Sequence, residues 1–229
     1  MKIHGLQKMT LLDYPGHVAC TVFLGGCDFR CPFCHNFELI DGRQRPVMED
    51  EEFFSFLEKR KGLLDGVAIT GGEPLLHADI PLFITRIRDM GYKVKLDTNG
   101  YHPDLLKKII DDNLVNYIAM DIKNSPSKYA RASGLESIDM EKIDTCIHLI
   151  MNSGIPYEFR TTVTGELHSC DDFEEIGKLI RGADAYYLQQ FVDRDTVPDR
   201  SLSAPTSESM REFLEIASKY VKSAYLRGL

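Results

Sequence analysis

Along almost the whole chain, short β-branched and aromatic runs alternate with segments of helical periodicity, and no other feature limits the fold as strongly. Strands are expected over His17–Leu24, Gly66–Thr70, Tyr92–Asp97, Val115–Asp121, Tyr157–Val163 and Ala185–Phe191, with Ala224–Arg227 as a short last one. Helical stripes fill the gaps. Phe53, Phe56 and Leu57 sit between an acidic first turn (Glu49 to Glu52) and a basic last turn (Lys59 to Lys61), which matches the helix dipole. Ile80, Phe83, Ile84 and Ile87 end at Gly91, and Pro103 suits the first turn before Leu105, Leu106, Ile109 and Ile110. Met140 to Ile150, Phe173 to Ile180 and Met210 to Val221 carry three more such stripes, all read as core-facing. Strand followed by helix at least five times implies a parallel sheet with right-handed crossovers. A β/α barrel is the natural architecture and a doubly wound sheet the alternative. Polar residues at the C-terminal ends of several strands favour the barrel, with its site at that mouth. Asp193–Pro205 reads as a loop and no Pro/Ser-rich linker divides the chain, so one domain is expected over residues 1–229: an N-terminal extension and cysteine loop over 1–37, then the remaining β/α units over 38–229.

With 229 residues, 43% of them hydrophobic, the chain can bury one substantial core. The formal charge of −8 has the wrong sign for binding nucleic acid through its phosphates. No apolar run approaches the ~18 residues of a membrane span, and Met1–Gly16 lacks the pattern of a signal peptide. A cytoplasmic protein without nucleic-acid or membrane partners is expected.

Three of the six cysteines, Cys27, Cys31 and Cys34, fall within eight residues on a glycine-flanked loop directly after the first expected strand. Cys20, Cys146 and Cys170 are scattered and read as buried hydrophobes. In a reducing compartment such a cluster points to metal chemistry rather than to a disulfide. Three thiolates in a CxxxCxxC spacing can wrap one iron–sulfur cluster; since an electron-transfer cluster of four irons takes four thiolates, three leave one iron open to another ligand. The competing reading is a Cys3His zinc site using His35. The adjacency of His35 to Cys34 counts against it, as does the lack of a second ligand pair.

The loop with Phe33 before its last cysteine, followed by Gly71-Gly72-Glu73-Pro74, resembles the radical S-adenosylmethionine (SAM) superfamily. Asp97-Thr98-Asn99-Gly100 and Asp121-Ile122-Lys123, each ending a later strand, narrow the resemblance to the activating enzymes of glycyl-radical proteins. Gly5-Leu6-Gln7-Lys8, Leu12-Asp13-Tyr14-Pro15-Gly16 and Cys34-His35-Asn36 narrow it to the anaerobic ribonucleoside-triphosphate reductase activating proteins. Several separated motifs in order are far more specific than any one of them.

The resemblance implies a partial (β/α)6 TIM-like barrel. It implies a [4Fe–4S] cluster on Cys27, Cys31 and Cys34, with SAM chelating the open iron and cleaved by one electron to methionine and a 5′-deoxyadenosyl radical. That radical would take hydrogen from a glycine of the anaerobic reductase. Phe33 would lie beside the cofactor. Gly71, Gly72 and Glu73 look like its amino-group clamp, or else only a tight strand-to-helix turn. Asp97, Thr98 and Asn99 suit ribose hydroxyls, or an Asx-type turn, and Asp97 and Thr98 with Asp121 match a sodium or potassium site. Lys123 would meet the SAM carboxylate, or pair only with Asp121. Arg160 looks like a SAM-contacting arginine, a solvent-facing ion pair being the alternative. His35 would position water or substrate, or cap the loop. Asp13 and Asp121 stand as contacts to the partner protein, and Tyr14, where the formate-lyase activators have Gly, favours a different partner from theirs. An outside donor such as a flavodoxin or ferredoxin must supply the electron. Two readings compete: an activator of another glycyl-radical enzyme of formate-lyase type, and a non-enzymatic zinc-binding interaction module.

Overall fold

A computed structural model describes residues 1–228; Leu229, the last residue of the expected domain, lies outside the described residues. The chain begins with β1 (Lys2–Thr10) and β2 (Ala19–Leu24), then the two-residue β3 (Met48–Glu49) and α1 (Asp50–Glu58). There follow β4 (Gly66–Gly71), α2 (Ile80–Asp89), β5 (Lys93–Thr98), α3 (Pro103–Asp111), β6 (Tyr117–Asp121), α4 (Tyr129–Ser133) and α5 (Met140–Met151). The chain closes with β7 (Tyr157–Val163), α6 (Cys170–Leu179), β8 (Tyr186–Gln190), α7 (Ser207–Ala217) and β9 (Ala224–Arg227).

All strands join one sheet of order β3-β1-β2-β4-β5-β6-β7-β8-β9. From β2 through β9 every neighbouring pair is parallel. The parallel strands follow one another in chain order, without the reversal that a doubly wound sheet requires. Since β9 does not pair back onto the first strands, the result is an open, partial TIM-like barrel.

Strand alternation gives the sheet two unlike faces. Val22, Val67, Ile69, Val94, Leu96, Ile118 and Phe159 are fully buried on the helix side. The opposite, inner face carries Thr21, Lys95, Asp97, Glu158 and Arg160, so polar residues fill the interior where a closed barrel packs branched aliphatics. The helices start where the sequence says they should: Pro81 and Pro103 fall in first turns, and Ser169 closes a capping box with Asp172.

The N-terminal extension is not an appendage. β1 lies antiparallel against β2, with Ile3 opposite Leu24 and Gln7 opposite Thr21. Its Gly, Lys and Gln positions and half-exposed face hide the period-2 signal that marks the interior strands. The loop after it turns Tyr14 inward, where it is 1% exposed, with its ring 6.2 Å from that of Tyr117. A side chain on Gly66 would meet Tyr14 at 2.9 Å, so that glycine leaves room for the ring beneath the barrel. Tyr14 is therefore a core residue. No described helix is long and apolar enough to cross a membrane.

Candidate active site

The cysteine loop leaves β2 at Leu24 and folds over the C-terminal ends of the parallel strands. Gly26 donates its N–H to Leu39 (2.9 Å) and Cys34 closes a turn onto the Cys31 carbonyl (3.1 Å). Arg30 braces the loop from outside, its guanidinium on the carbonyls of Cys27 (2.5 Å) and Phe29 (2.8 Å) and its N–H on Ser133 of α4 (2.8 Å). Gly134, which caps α4 at φ +67, lies so close to Arg30 that a Cβ would meet its carbonyl oxygen at 2.0 Å. All three cysteines, Phe33 and His35 face a cavity of about 480 Å³ whose other wall is made by the strand ends. Gly71, Gly72, Asp97, Thr98, Asn99, Asp121, Lys123, Arg160 and Asp13 line it as well. Of the expected site residues only Glu73 does not.

Burial pushes the Cys27 and Cys31 thiols up to about 12 and about 11, against which the nearby Lys123 charge pulls Cys31 back only in part. Metal-free, the loop therefore carries neutral thiols, which a metal must deprotonate. Three soft ligands and a backbone N–H, from Phe29, 3.4 Å from Cys27 Sγ fit an iron–sulfur cluster. Among the described residues no three His, Cys, Asp or Glu side chains converge closely enough for a single metal ion, as zinc would need. His35 is engaged elsewhere: Nε2 contacts the Val192 carbonyl at 2.7 Å and the ring stacks on Phe191 with centroids 5.7 Å apart.

The Gly-Gly-Glu-Pro turn is pinned by contacts within the protein. Gly72 and Glu73 donate their N–H groups to Leu24 and Gly26 (both 2.8 Å), fastening the turn to the cysteine loop. A Cβ on Gly72 would stand 1.8 Å from the Gly26 carbonyl oxygen, and Gly71 holds φ +120 against Leu24. Both glycines thus serve backbone-to-backbone approach within the protein. Buried Glu73 accepts hydrogen bonds from Leu75 N (2.9 Å), Thr98 Oγ1 (2.9 Å) and Asn99 N (2.6 Å), locking the turn to the end of β5. Burial pushes its carboxyl up to about 7 while those donors pull it down. Glu73 thus ties the turn to the end of β5, and it is the one expected site residue that does not line the cavity. We expect Gly72→Ala to destabilise the protein by about 1–3 kcal/mol, as overpacking does, and to lower iron content after reconstitution; denaturant unfolding and iron analysis measure both.

Across the mouth runs a chain of ion pairs. Lys95 contacts Asp97; Arg160 reaches Asp97 Oδ2 (3.3 Å) and Asp121 Oδ1 (2.9 Å); Lys123 donates to Asp121 Oδ2 (3.1 Å). Burial alone would raise both carboxyls, but the Arg160 guanidinium, aided by Lys95 on Asp97 and by Lys123 on Asp121, holds them below the usual range. Burial likewise opposes the charge of Lys123, and Asp121 restores it. Arg160, with its side chain 14% exposed, is not a surface ion pair. Asp97 and Asp121, expected to hold a sodium or potassium ion with Thr98, share Arg160, and Thr98 donates to Glu73. Lys123 and Arg160 bring their cationic ends to the cavity wall among these carboxylates.

Two further features carry no spacing signature. Asp13 accepts from Thr21 Oγ1 (2.6 Å) at the inner wall, and Asn36 donates to the Gly71 carbonyl (3.2 Å). Asp28, directly after Cys27, lies between Asn99 Nδ2 (2.8 Å) and His102 Nε2 (2.9 Å). Only the fold brings His102 of the α3 N-terminus to this loop.

The profile of the radical SAM superfamily matches residues 21–180, which contain the cysteine loop and the strand ends just described. The chain belongs to the radical SAM superfamily. A Methanocaldococcus jannaschii protein provisionally named a glycyl-radical enzyme activating enzyme is 32% identical over 99% of this chain and 96% of its own length. A pyruvate formate-lyase-activating enzyme of Clostridium pasteurianum is 30% identical over 54% of this chain and 52% of its own length. Among solved structures, Streptococcus suis SuiB bound to S-adenosylmethionine covers 91% of this chain, and 52% of its own, at TM-score 0.66 and 14% identity. A domain of a Bacteroides vulgatus pyruvate-formate lyase-activating enzyme covers 71% of this chain and 99% of its own at TM-score 0.59 and 17% identity. These last two share the fold. Within its superfamily this radical SAM enzyme belongs with the glycyl-radical enzyme activating enzymes, and the superfamily's [4Fe–4S] cluster and SAM are the groups its cavity has to hold.

Proposed function

We propose that this enzyme installs a glycyl radical on an anaerobic ribonucleoside-triphosphate reductase. The reading is supported by one observation: Gln7, Asp13, His35 and Asn36, which belong to the motifs that narrow the resemblance to that group, line the same cavity as the cysteines. Cys27, Cys31 and Cys34 would hold the cluster, which when bound supplies one electron at short range. Lys123, on the cavity wall, would take the SAM carboxylate. The Gly71–Gly72 turn and the Asp97–Asn99 strand end would border the amino group and the ribose, with Phe33 and Arg160 on the flanks. Asp13 and Asp121, on the cavity wall, would meet the glycine-bearing segment of the partner, which must leave its own fold to enter. A cavity that excludes solvent keeps a reactive species on its target. Among the described residues the other cysteines, Cys20, Cys146 and Cys170, do not reach the cavity, so the electron would come from an outside flavodoxin or ferredoxin.

Relatives named as formate-lyase activators favour a second reading, a formate-lyase-type partner. Electron paramagnetic resonance decides between them. Reduced, reconstituted enzyme is incubated with SAM and each candidate partner; a glycyl-radical doublet is expected on the anaerobic reductase. A doublet on formate lyase alone would transfer the assignment to the second reading. A colourless, zinc-containing, iron-free protein after anaerobic purification would instead favour the zinc-binding module.

A further inference from the structure

We propose that Asp28 and His102 are positioning residues that hold the Asn99 side-chain amide as an N–H donor to the Cys27 thiolate, and so set the reduction potential of the bound cluster. The inference rests on the cluster reading above and concerns residues that the motifs leave without a role.

The Asn99 amide is fully committed. Nδ2 donates to Asp28 Oδ1 (2.8 Å) and approaches Cys27 Sγ at 3.8 Å; Oδ1 accepts from Tyr101 N (3.0 Å); the backbone N–H is held by Glu73 (2.6 Å). A flipped amide would set its oxygen against the Asp28 carboxylate, so Asp28 fixes which end faces the sulfur. Asp28 is fixed in turn by His102, whose Nε2 lies 2.9 Å from Oδ2 as an ion pair, not a well-aligned hydrogen bond. His102 does a second thing. Asp28 Oδ1 is 3.9 Å from Cys27 Sγ, and an uncompensated carboxylate at that distance opposes adding an electron to the cluster. The imidazole at the far oxygen offsets it. Hydrogen bonds to cluster sulfurs and nearby charge are the levers by which a protein sets such a potential, and partners beyond the ligands orient the ligands themselves.

Both effects of His102 act in one direction, so its removal has a signed consequence. The midpoint is measured by potentiometric titration of reconstituted, SAM-free protein, following the reduced-cluster signal by electron paramagnetic resonance, with iron content determined on each sample. His102→Ala is expected to lower the midpoint so that the ratio of reduced to oxidised cluster at the wild-type midpoint falls about tenfold, a shift of about 59 mV for one electron. His102→Gln, which keeps an N–H toward Asp28, is expected to recover at least half of that shift and serves as the readable variant should the alanine protein fail to load iron. Asn99→Ala should also lower the midpoint, and adding His102→Ala to it should shift the midpoint by less than His102→Ala does alone, because part of the His102 effect passes through Asn99. An unchanged midpoint in iron-loaded His102 variants, or shifts from Asn99 and His102 that add in full, would overturn the proposal. Wild-type protein that loads no iron and shows no reduced-cluster signal would defeat the cluster reading itself, a distinct result that removes the proposal with it.

Discussion

Replacing Cys27, Cys31 or Cys34 singly with alanine is expected to abolish SAM cleavage, with 5′-deoxyadenosine release falling by more than about 100-fold, the upper end of what losing a mere outer partner of a metal ligand costs. Among the described residues none of the other three cysteines can substitute: Cys20 and Cys146 are fully buried in the apolar core, and Cys170 opens α6 away from the cavity. His35 is held on Val192 and stacked on Phe191, and Asp28 is engaged by Asn99 and His102. The loop itself should survive each change, because the braces from Arg30, Gly26 and Gly72 end on backbone carbonyls and do not involve the sulfurs. Metal-free variants should therefore melt like metal-free wild type while failing to accumulate four irons per chain after reconstitution. Chromatography of SAM reaction products under dithionite, with iron analysis alongside, makes the measurement. Full turnover by Cys27→Ala would contradict the assignment of the loop.

The repeated strand and helix periods make the barrel legible, because each interior strand buries one face under helices and carries β-branched or aromatic residues. They conceal β1, which β3 covers only at Lys2 and Ile3 and whose Gln7, Lys8 and Met9 are exposed, and β3 and α4, too short to show a period. The cavity-lining residues are legible for a different reason: the chemistry of the cofactor demands particular residue types at strand ends, so Cys27, Lys123 and Asp97 announce themselves. Their division of labour is less so. Nothing local shows that three protein donors meet the Glu73 carboxylate or that Gly72 packs against Gly26. Nor does it show that Arg160 lies between Asp97 and Asp121. In each case the missing fact is a contact between segments far apart in the chain. No local pattern encodes the Asp28–His102 contact, since 28 and 102 are brought together only by the order of the strands.

Lys123→Met is expected to weaken SAM binding by roughly 10- to 100-fold, the loss of a hydrogen bond to a charged group being about 1.5–3 kcal/mol. The substitution is unusually clean at this site. Asp121 keeps Arg160 Nε at 2.9 Å after Lys123 is gone, so no buried carboxylate is left unpaired and the penalty for an orphaned charge does not arise. Methionine fills the space of the aliphatic stem, so the wall of the cavity is preserved. What disappears is one cationic hydrogen-bond donor on the cavity wall. Equilibrium binding of SAM to reconstituted protein gives the affinity, and the iron content should match wild type because Lys123 is no ligand. Arg160→Met, by contrast, removes the group that Asp97 and Asp121 share, so it should destabilise the fold as well as the site. An Lys123→Met enzyme that binds SAM as tightly as wild type would mean that the carboxylate is met elsewhere on the wall, and that Lys123 serves Asp121 alone.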